Sequence, residues 1–167
     1  MKESTDQIRR CISLRPALMP DDEPFLQELY ASTRDDLNGI IPDESQMRQL
    51  LMIQYNGQKA TYSAEFPNAT DQIVMLDGEP VGRLMLDHRR DSIHGVDIAI
   101  MKSERNRGVG TGVLEELFEE CAKRGIYFSL NVAKNNPAMR LYERLGCRIV
   151  EDNGTHFLMI FRPDKLG

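Results

Sequence analysis

The chain has 167 residues, a length that suits one domain with a single hydrophobic core. Apolar residues make up 41% of it and charged residues 28%, which is ordinary for a soluble globular protein. The net charge of −5 argues against general nucleic-acid binding, which needs a basic face. No apolar run is long enough to span a membrane, and the polar N-terminus lacks a signal-peptide core, so we expect a cytoplasmic protein.

The cysteines and histidines do not have the spacing of a metal site or of a disulfide framework. The cysteines are Cys11, Cys121 and Cys147, and the histidines are His88, His94 and His156. We therefore expect no structural metal and no disulfide framework.

The first part of the chain predicts one strand followed by two helices. Residues 1–10 form a polar extension that we expect to be frayed. Residues 12–15 could form a strand, and Pro20 marks the start of a helix. Residues 31–41 read as a loop, and a second helix starts at Pro42.

An antiparallel meander is predicted next. Residues 73–76 and 81–86 are two apolar runs, and Asp77-Gly78 between them is a strong hairpin signal because the turn needs positive φ. A third strand is predicted over 94–101.

The last part of the chain alternates helices and strands. A long helix ends at Gly125, a strand covers 126–132, and a short helix runs from Asn136-Pro137 to Gly146. Two closing strands are predicted over 148–151 and 156–161. This order predicts a mixed α+β domain around one sheet, with all 167 residues in a single domain.

A glycine-rich turn stands where the long helix begins. Gly108, Gly110 and Gly112 follow the third meander strand, so backbone amides at the helix start should point outward with the positive end of the helix dipole behind them. Such a turn binds phosphate. A Rossmann fingerprint fails because Val113 stands where its third glycine should be, and a Walker A loop fails because no Gly-Lys-Ser/Thr follows the spacer.

Two sequence blocks together indicate a family. Residues 105–110, RNRGVG, match the motif [QR]-x-x-G-x-[GA], and residues 135–146, NNPAMRLYERLG, match N-x-x-A-x-x-L-Y-x-x-L-G. With one helix and one strand between these blocks, the chain resembles the GCN5-related N-acetyltransferase superfamily over about residues 72–151. Cys147 departs from the pattern, because the family usually has Phe or Tyr after L-G.

The resemblance implies a mostly antiparallel sheet of about six or seven strands, splayed between the fourth and fifth and flanked by about four helices. It also implies acetyl-CoA as cosubstrate. The strand before the glycine turn would bind the pantetheine arm, the glycine turn would cradle the diphosphate, and Asn135 would contact the cofactor. Asn136 would be the helix N-cap. The cofactor residues so assigned are Ile98, Ala99, Ile100, Met101, Arg105, Asn106, Arg107, Gly108, Val109, Gly110, Thr111, Asn135 and Tyr142.

Tyr142 and His94 are the catalytic candidates. By resemblance, an amine attacks the thioester directly, and Tyr142 protonates the CoA thiolate that leaves the tetrahedral intermediate; alternatively Tyr142 only fills the core. Family members often use Glu or His on the strand before the turn as the base. His94 lies there and should share a face with Val96 and Ile98, although it could be an ordinary polar residue; Asp97, on the other face, is an anchor or a second candidate.

The acceptor side is less determined. By resemblance, the acceptor meets loop 31–41 and about residues 152–156, whose acidic residues either attract an amine or are solvated loop charges. The sequence thus favours an N-acetyltransferase acting on a primary amine; the alternatives are a non-catalytic CoA-binding sensor and a transferase with another acyl group or acceptor. We expect no nucleic-acid or membrane partner, and a homodimer is consistent with the family.

Overall fold

The computed structural model describes residues 2–164, which form a seven-stranded sheet with helices on both faces. The strands are β1 (Ile12–Pro16), β2 (Thr70–Leu76), β3 (Glu79–His88), β4 (Ser92–Ile100), β5 (Tyr127–Ala133), β6 (Arg148–Asp152) and β7 (His156–Phe161). The helices are α1 (Lys2–Arg9), α2 (Glu23–Ser32), α3 (Glu44–Glu65), α4 (Val109–Arg124) and α5 (Met139–Arg144), with short 3-10 turns at Asp35–Leu37 and Lys102–Glu104. The predicted α+β fold is confirmed; of the predicted domain, residues 1 and 165–167 lie outside the described residues.

The strands are arranged in the order β1-β2-β3-β4-β5-β7-β6. Every neighbouring pair is antiparallel except β4 and β5, which are parallel. The predicted hairpin joins β2 to β3, and Asp77 and Gly78 have φ values of 51° and 83°. These positive values are those of the tight turn that matches the twist of two antiparallel strands.

Two apolar clusters attach the helices to the sheet. The larger one lies between the sheet and α4, where Val113, Leu114 and Leu117 meet strand residues such as Ile93 and Phe128. The smaller one lies on the side of α2 and α3 and contains Leu26, Leu29, Tyr55 and Ile73. The sheet is therefore covered by α1, α4 and α5 around one cluster and by α2 and α3 around the other.

Residues 1–10 are polar, as predicted, but in the described part of the chain Lys2–Arg9 form helix α1 instead of an extension without regular structure. The Arg9 guanidinium lies 3.1 Å from Glu119 and 3.7 Å from Glu115, both on α4. Ile8 packs against the larger apolar cluster. The helix is thus held by tertiary contacts with the acidic face of α4, which the local pattern of α1 does not reveal.

Helix α5 begins later than predicted. Its N-cap is Ala138 rather than Asn136, and its first residue is Met139. The Asn136 side-chain carbonyl accepts a hydrogen bond from the Ala138 amide at 2.9 Å, and the Asn136 backbone carbonyl accepts one from Met139 at 3.1 Å. Asn136 therefore stabilises the turn that precedes the helix.

A β-bulge in β4 changes which residues share a face. Met85 on β3 pairs with Asp97, but the next residue, Leu86, pairs with Gly95, so β4 carries one extra residue at this point. Ile98 packs into the larger cluster near α4, whereas His94 stacks on Phe66 at the end of α3. The prediction that His94 and Ile98 share a face is wrong, because the bulge interrupts the alternation.

None of the described helices is long and apolar enough to cross a membrane.

Candidate active site

The central feature of the site is the gap between β4 and β5. The two strands pair only from Ser92–Tyr127 to Gly95–Leu130, and beyond this point they separate. β4 continues to Ile100 along β3, while β5 continues to Ala133 along β7. The splay predicted between the fourth and fifth strands is confirmed, and it leaves the β5-facing edge of residues 96–100 without a strand partner in the described chain.

Three of the four residues predicted to bind the pantetheine arm lie on this unpaired edge. Ile98, Ala99 and Ile100 are the last residues of β4. Met101 follows the strand, and its amide donates to the Val81 carbonyl on β3 at 2.7 Å. An open strand edge presents backbone donors and acceptors, so this segment can hydrogen-bond an extended amide-containing chain as a further strand would.

The glycine turn presents backbone amides at the end of the same gap. Gly108 is the N-cap of α4 with φ of 87°, and no side chain caps the helix start. The Gly108 carbonyl takes its first helical hydrogen bond from the amide of Gly112, at 2.9 Å. The amides of Val109, Gly110 and Thr111 therefore have no acceptor inside the helix, and the helix dipole favours an anion there.

The arginines of the turn contact the protein itself. Arg105 Nε donates to the Ile100 carbonyl at 3.1 Å, which ties the turn to the end of β4. Arg107 pairs with Glu104. Asn106 between them has φ of 62°, a left-handed conformation that asparagine tolerates better than most residues. These contacts within the protein hold the turn against the end of β4.

Gly110 and Gly112 of the turn have different neighbours. A Cβ on Gly110 would lie 3.4 Å from Leu141 on α5, an ordinary van der Waals distance. A Cβ on Gly112 would lie 2.8 Å from Ile12 Cδ1 and 3.1 Å from Arg9 Cγ. Gly112 therefore allows close packing of α4 on α1 and β1, a structural role distinct from the exposed amides.

Tyr142 lies on α5 and is only 4% exposed. Burial raises the pKa of its phenol, and the nearby charge of Asp97 raises this pKa further, so the hydroxyl keeps its proton. Among the described residues, every buried side-chain nitrogen or oxygen has a hydrogen-bond partner, and none is found for the Tyr142 hydroxyl. Its oxygen therefore retains some contact with solvent, as a proton donor to a ligand must.

His94 lies where β4 and β5 are still paired. It is 6% exposed, its Nδ1 is 2.9 Å from Ser129 Oγ on β5, and its ring stacks on Phe66 with centroids 5.7 Å apart. Burial, together with the charge of Arg89, lowers its pKa. This histidine is available as a neutral base, but its ring is enclosed by protein.

Asp97 lies beyond the bulge, beside the gap. It lines a cavity of about 40 Å³ between α2, α3 and β4, which is large enough to hold water. Burial raises the pKa of Asp97 to about 6, although the charge of Arg83 opposes this shift. The sequence predicts Asp97 only as an anchor or a second candidate base, because simple alternation places it on a different face from His94.

Two charged residues near Asp97, Arg83 and Asp71, are not predicted from the sequence. Arg83 on β3 is 7% exposed and forms ion pairs with Asp71 on β2 and with Asp97. The available signal was a single arginine inside the apolar run of β3, VGRLML, where a buried charge needs a partner. Finding that partner requires the strand register, which the sequence does not supply.

Asn135 and the acidic residues of the predicted acceptor loops are exposed on the surface. Asn135 is exposed in the turn between β5 and α5. In the loop after α2, Asp35 pairs with Lys102 at 2.9 Å and Asp36 with Arg34 at 2.8 Å; Asp152 pairs with Lys134 at 2.6 Å. Each of these three acidic side chains therefore already has a basic partner and is not a free negative charge.

No group of three or more His, Cys, Asp or Glu side chains is arranged to hold a metal ion within residues 2–164.

A mixed sheet that opens between two parallel strands, with free amides at the adjoining helix start, defines a protein that can hold an extended ligand ending in a phosphate group. The sequence profile of the acetyltransferase (GNAT) family matches residues 26–147. The chain therefore belongs to the GNAT family, as its two sequence blocks predicted.

Solved structures are similar to this chain over nearly their whole length. PaiA N-acetyltransferase from Thermoplasma acidophilum in complex with coenzyme A has a TM-score of 0.67 at 18% identity, covering 90% of this chain and 98% of that one. Ribosomal-protein-S18-alanine N-acetyltransferase from Escherichia coli has a TM-score of 0.59 at 18% identity, covering 93% and 96%. A GNAT family acetyltransferase from Elizabethkingia anophelis with acetyl-CoA bound has a TM-score of 0.58 at 14% identity, covering 91% and 98%.

At these identities the likeness concerns the fold. No curated protein shows significant sequence similarity to this chain.

Proposed function

We propose that this protein transfers an acetyl group from acetyl-CoA to a primary amine. The observation that carries the proposal is the alignment of two features: the unpaired edge of β4 and, at its end, the uncapped amides of α4. Two structures of similar fold hold coenzyme A or acetyl-CoA, which supports this choice of cosubstrate. Family membership supports acetyl transfer as the reaction.

The residues present fit the parts of this cosubstrate. The amides of 109–111 suit the diphosphate, since a helix start with free N–H groups binds phosphate. Gly108 has a conformation that other residues adopt only with strain, and neither it nor Gly110 has a side chain to keep a ligand away from the amides. The edge of residues 98–100 suits the amide groups of the pantetheine arm.

The thioester supplies an electrophilic carbonyl carbon. The amine nitrogen bonds to this carbon, the tetrahedral intermediate collapses with loss of the C–S bond, and the sulfur leaves as a thiolate. Tyr142 gives its proton to that sulfur, and its phenolate recovers a proton from the nitrogen, which becomes the neutral amide nitrogen. The proton that the ammonium loses before the attack passes to a base and then to solvent.

We assign this base to Asp97 in preference to His94, whose role stays a prediction from the sequence. Asp97 borders the cavity and interacts electrostatically with Tyr142, whereas the His94 ring is enclosed between Phe66 and Ser129. A carboxylate with a pKa of about 6 is ionised at neutral pH and is basic enough to take a proton through water.

Replacing Tyr142 with phenylalanine tests the proposal. Thiol release from acetyl-CoA would be followed with spermidine, a peptide with N-terminal alanine and a lysine-containing peptide as acceptors, alongside calorimetric measurement of acetyl-CoA binding. We expect Tyr142→Phe to lower kcat about 10²- to 10⁴-fold while the affinity for acetyl-CoA changes little, because only the proton donor is lost.

Tyr127→Phe is the matched control. Tyr127 lies on β5 where the strands are paired, next to Arg162, and away from the gap. Its loss of a hydroxyl should leave turnover unchanged. If the unmodified protein binds acetyl-CoA but releases no thiol with any amine, the enzymatic proposal fails and a non-catalytic CoA-binding module is supported.

A further inference from the structure

A buried group of three charged side chains joins adjacent strands beside the cavity. Arg83 lies on β3, Asp71 on β2 and Asp97 on β4. Arg83 pairs across the sheet with Ile73 and Ala99, and Met85 pairs with Asp71 and Asp97. Each aspartate is therefore diagonal to Arg83, two residues from its direct partner, which is within the reach of a long side chain on the same face.

Arg83 is held firmly by one aspartate and loosely by the other. Its Nε and Nη2 donate to the two carboxylate oxygens of Asp71, each at 2.8 Å. Its Nη1 donates to Asp97 Oδ2 at 3.4 Å. The two short parallel bonds fix the plane of the guanidinium, so Asp71 determines the direction from which Arg83 approaches Asp97.

The second oxygen of Asp97, Oδ1, is not held by Arg83. No donor to Asp97 Oδ1 is found among the described residues, and every fully buried side-chain oxygen of that part of the chain has a partner. Oδ1 is therefore reached by solvent, in line with the 21% exposure of the Asp97 side chain. One oxygen is thus held by Arg83 and the other is free to accept a proton.

The charged and titratable groups around Asp97 come from five elements. Arg83 favours its ionised form and Asp71 opposes it. Tyr62 on α3 and Tyr142 on α5 interact with its charge, and Tyr30 and Tyr55 line the same cavity. Since the tyrosines are neutral, Arg83 and Asp71 are the charges that act on Asp97 in opposite directions.

We propose that Arg83 and Asp71 are positioning residues for the base, and that together they orient the Asp97 carboxylate and set the charge balance around it. This inference rests on the proposed function for its catalytic consequence, but the geometry that carries it does not depend on turnover. Neither residue touches the reacting atoms in this scheme; both act through Asp97.

Substitutions of the two residues should shift the ionisation of Asp97 in opposite directions. A general loss of structure would not produce this pair of opposite shifts. Arg83→Gln removes the positive charge, so the ionisation midpoint of Asp97 should rise by about one pH unit or more. Asp71→Asn removes the negative charge, so this midpoint should fall. The direct readout is the carboxyl carbon resonance of Asp97, followed by NMR as a function of pH and assigned with Asp97→Asn.

Turnover supplies a second, separate readout. With the best amine of the panel, the acidic limb of kcat/KM should move to higher pH in Arg83→Gln and to lower pH in Asp71→Asn. A rise of one unit lowers kcat/KM about tenfold at pH values well below the midpoint. Acetyl-CoA affinity should stay unchanged in both variants, and Arg124→Gln, an equal loss of charge at the exposed end of α4, is the control.

The inference would be overturned if the ionisation midpoint of Asp97 were equal in the unmodified protein, Arg83→Gln and Asp71→Asn, or if it shifted in the same direction in both variants. If the Arg83→Gln protein does not fold, Arg83→Lys takes its place, since lysine keeps the positive charge but lacks the planar guanidinium. The ionisation midpoint of Asp97 in Arg83→Lys, together with that in Asp71→Asn, then decides the question. If no amine is acetylated, the proposed function fails while the NMR midpoints still test the role of Arg83 and Asp71.

Discussion

At the scale of single residues, the most informative one is Asp97, because it carries a charge in a largely buried position. Burial holds its pKa at about 6, compared with 3.8 for an ordinary aspartate. The folded protein therefore binds more protons than the unfolded chain between these values. The free energy of unfolding should fall as pH rises through this window, so the ionised carboxylate costs stability above pH 6.

Asp97→Asn should make the protein more stable at pH 8, by about 2 to 3 kcal/mol, because the neutral amide removes the cost of a buried charge and can still accept from Arg83. The gain in the free energy of unfolding should shrink towards zero at about pH 3, where Asp97 is protonated in both the folded and the unfolded protein. Urea unfolding at the two pH values measures this difference.

Glu28→Gln is the control for this prediction, since Glu28 is exposed on α2 and loses the same charge. Its effect should be small at both pH values. A loss of stability for Asp97→Asn at pH 8 would show that the ionised carboxylate is favourable in the fold and would contradict the assigned environment.

Among the elements, β4 determines the geometry of the site, and Gly82 on β3 determines how closely β4 can approach. A Cβ on Gly82 would lie 2.5 Å from the Ala99 carbonyl oxygen and 2.7 Å from Ile100 Cδ1. The backbone oxygen cannot move without displacing the strand edge that faces the gap.

Gly82→Ala should therefore lower the free energy of unfolding by about 1 to 3 kcal/mol and also weaken acetyl-CoA binding. Gly57→Ala is the matched substitution on α3, where a Cβ would meet nothing within 4 Å. It should stabilise the protein by about 0.5 to 1 kcal/mol, since alanine is the better helix former. Chemical denaturation and calorimetry of both variants check the pair; normal cofactor affinity in Gly82→Ala would contradict the role given to β4.

The elements also show what could be predicted from the sequence. The hairpin at Asp77-Gly78, the helix ending at Gly125 and the strand over His156–Phe161 carry their signals locally, and each was predicted. Helix α1 was not, because its stability comes from contacts of Arg9 and Ile8 with distant residues. The bulge in β4 was not, because it is visible only in the pairing of Met85 and Leu86.

The same division applies to the candidate site. Residues 105–110 and Tyr142 were predicted because they lie in two compact sequence blocks. The group of Asp71, Arg83 and Asp97 was not assembled, since its members come from three strands and meet only through the register of the sheet. Local chemistry is readable from the chain, whereas a buried charge network requires the fold.

For the molecule as a whole, the proposed acetyl transfer depends on one spatial relation. The unpaired edge of β4 leads to the uncapped start of α4, and Arg105 connects the two through the Ile100 carbonyl. One extended ligand can therefore contact both at once, and the proposed mechanism requires its acyl end to lie near Tyr142 and Asp97. This relation, rather than any single residue, supports acetyl transfer.

The most direct measurement is an NMR titration of the ¹⁵N-labelled protein with acetyl-CoA, observed at the backbone amides. The account predicts the largest chemical-shift changes at residues 96–100 and 106–111. Acetyl-pantetheine, which lacks the diphosphate, should move the first group and leave the second nearly unchanged. Binding of acetyl-CoA without any change at residues 106–111 would contradict the account.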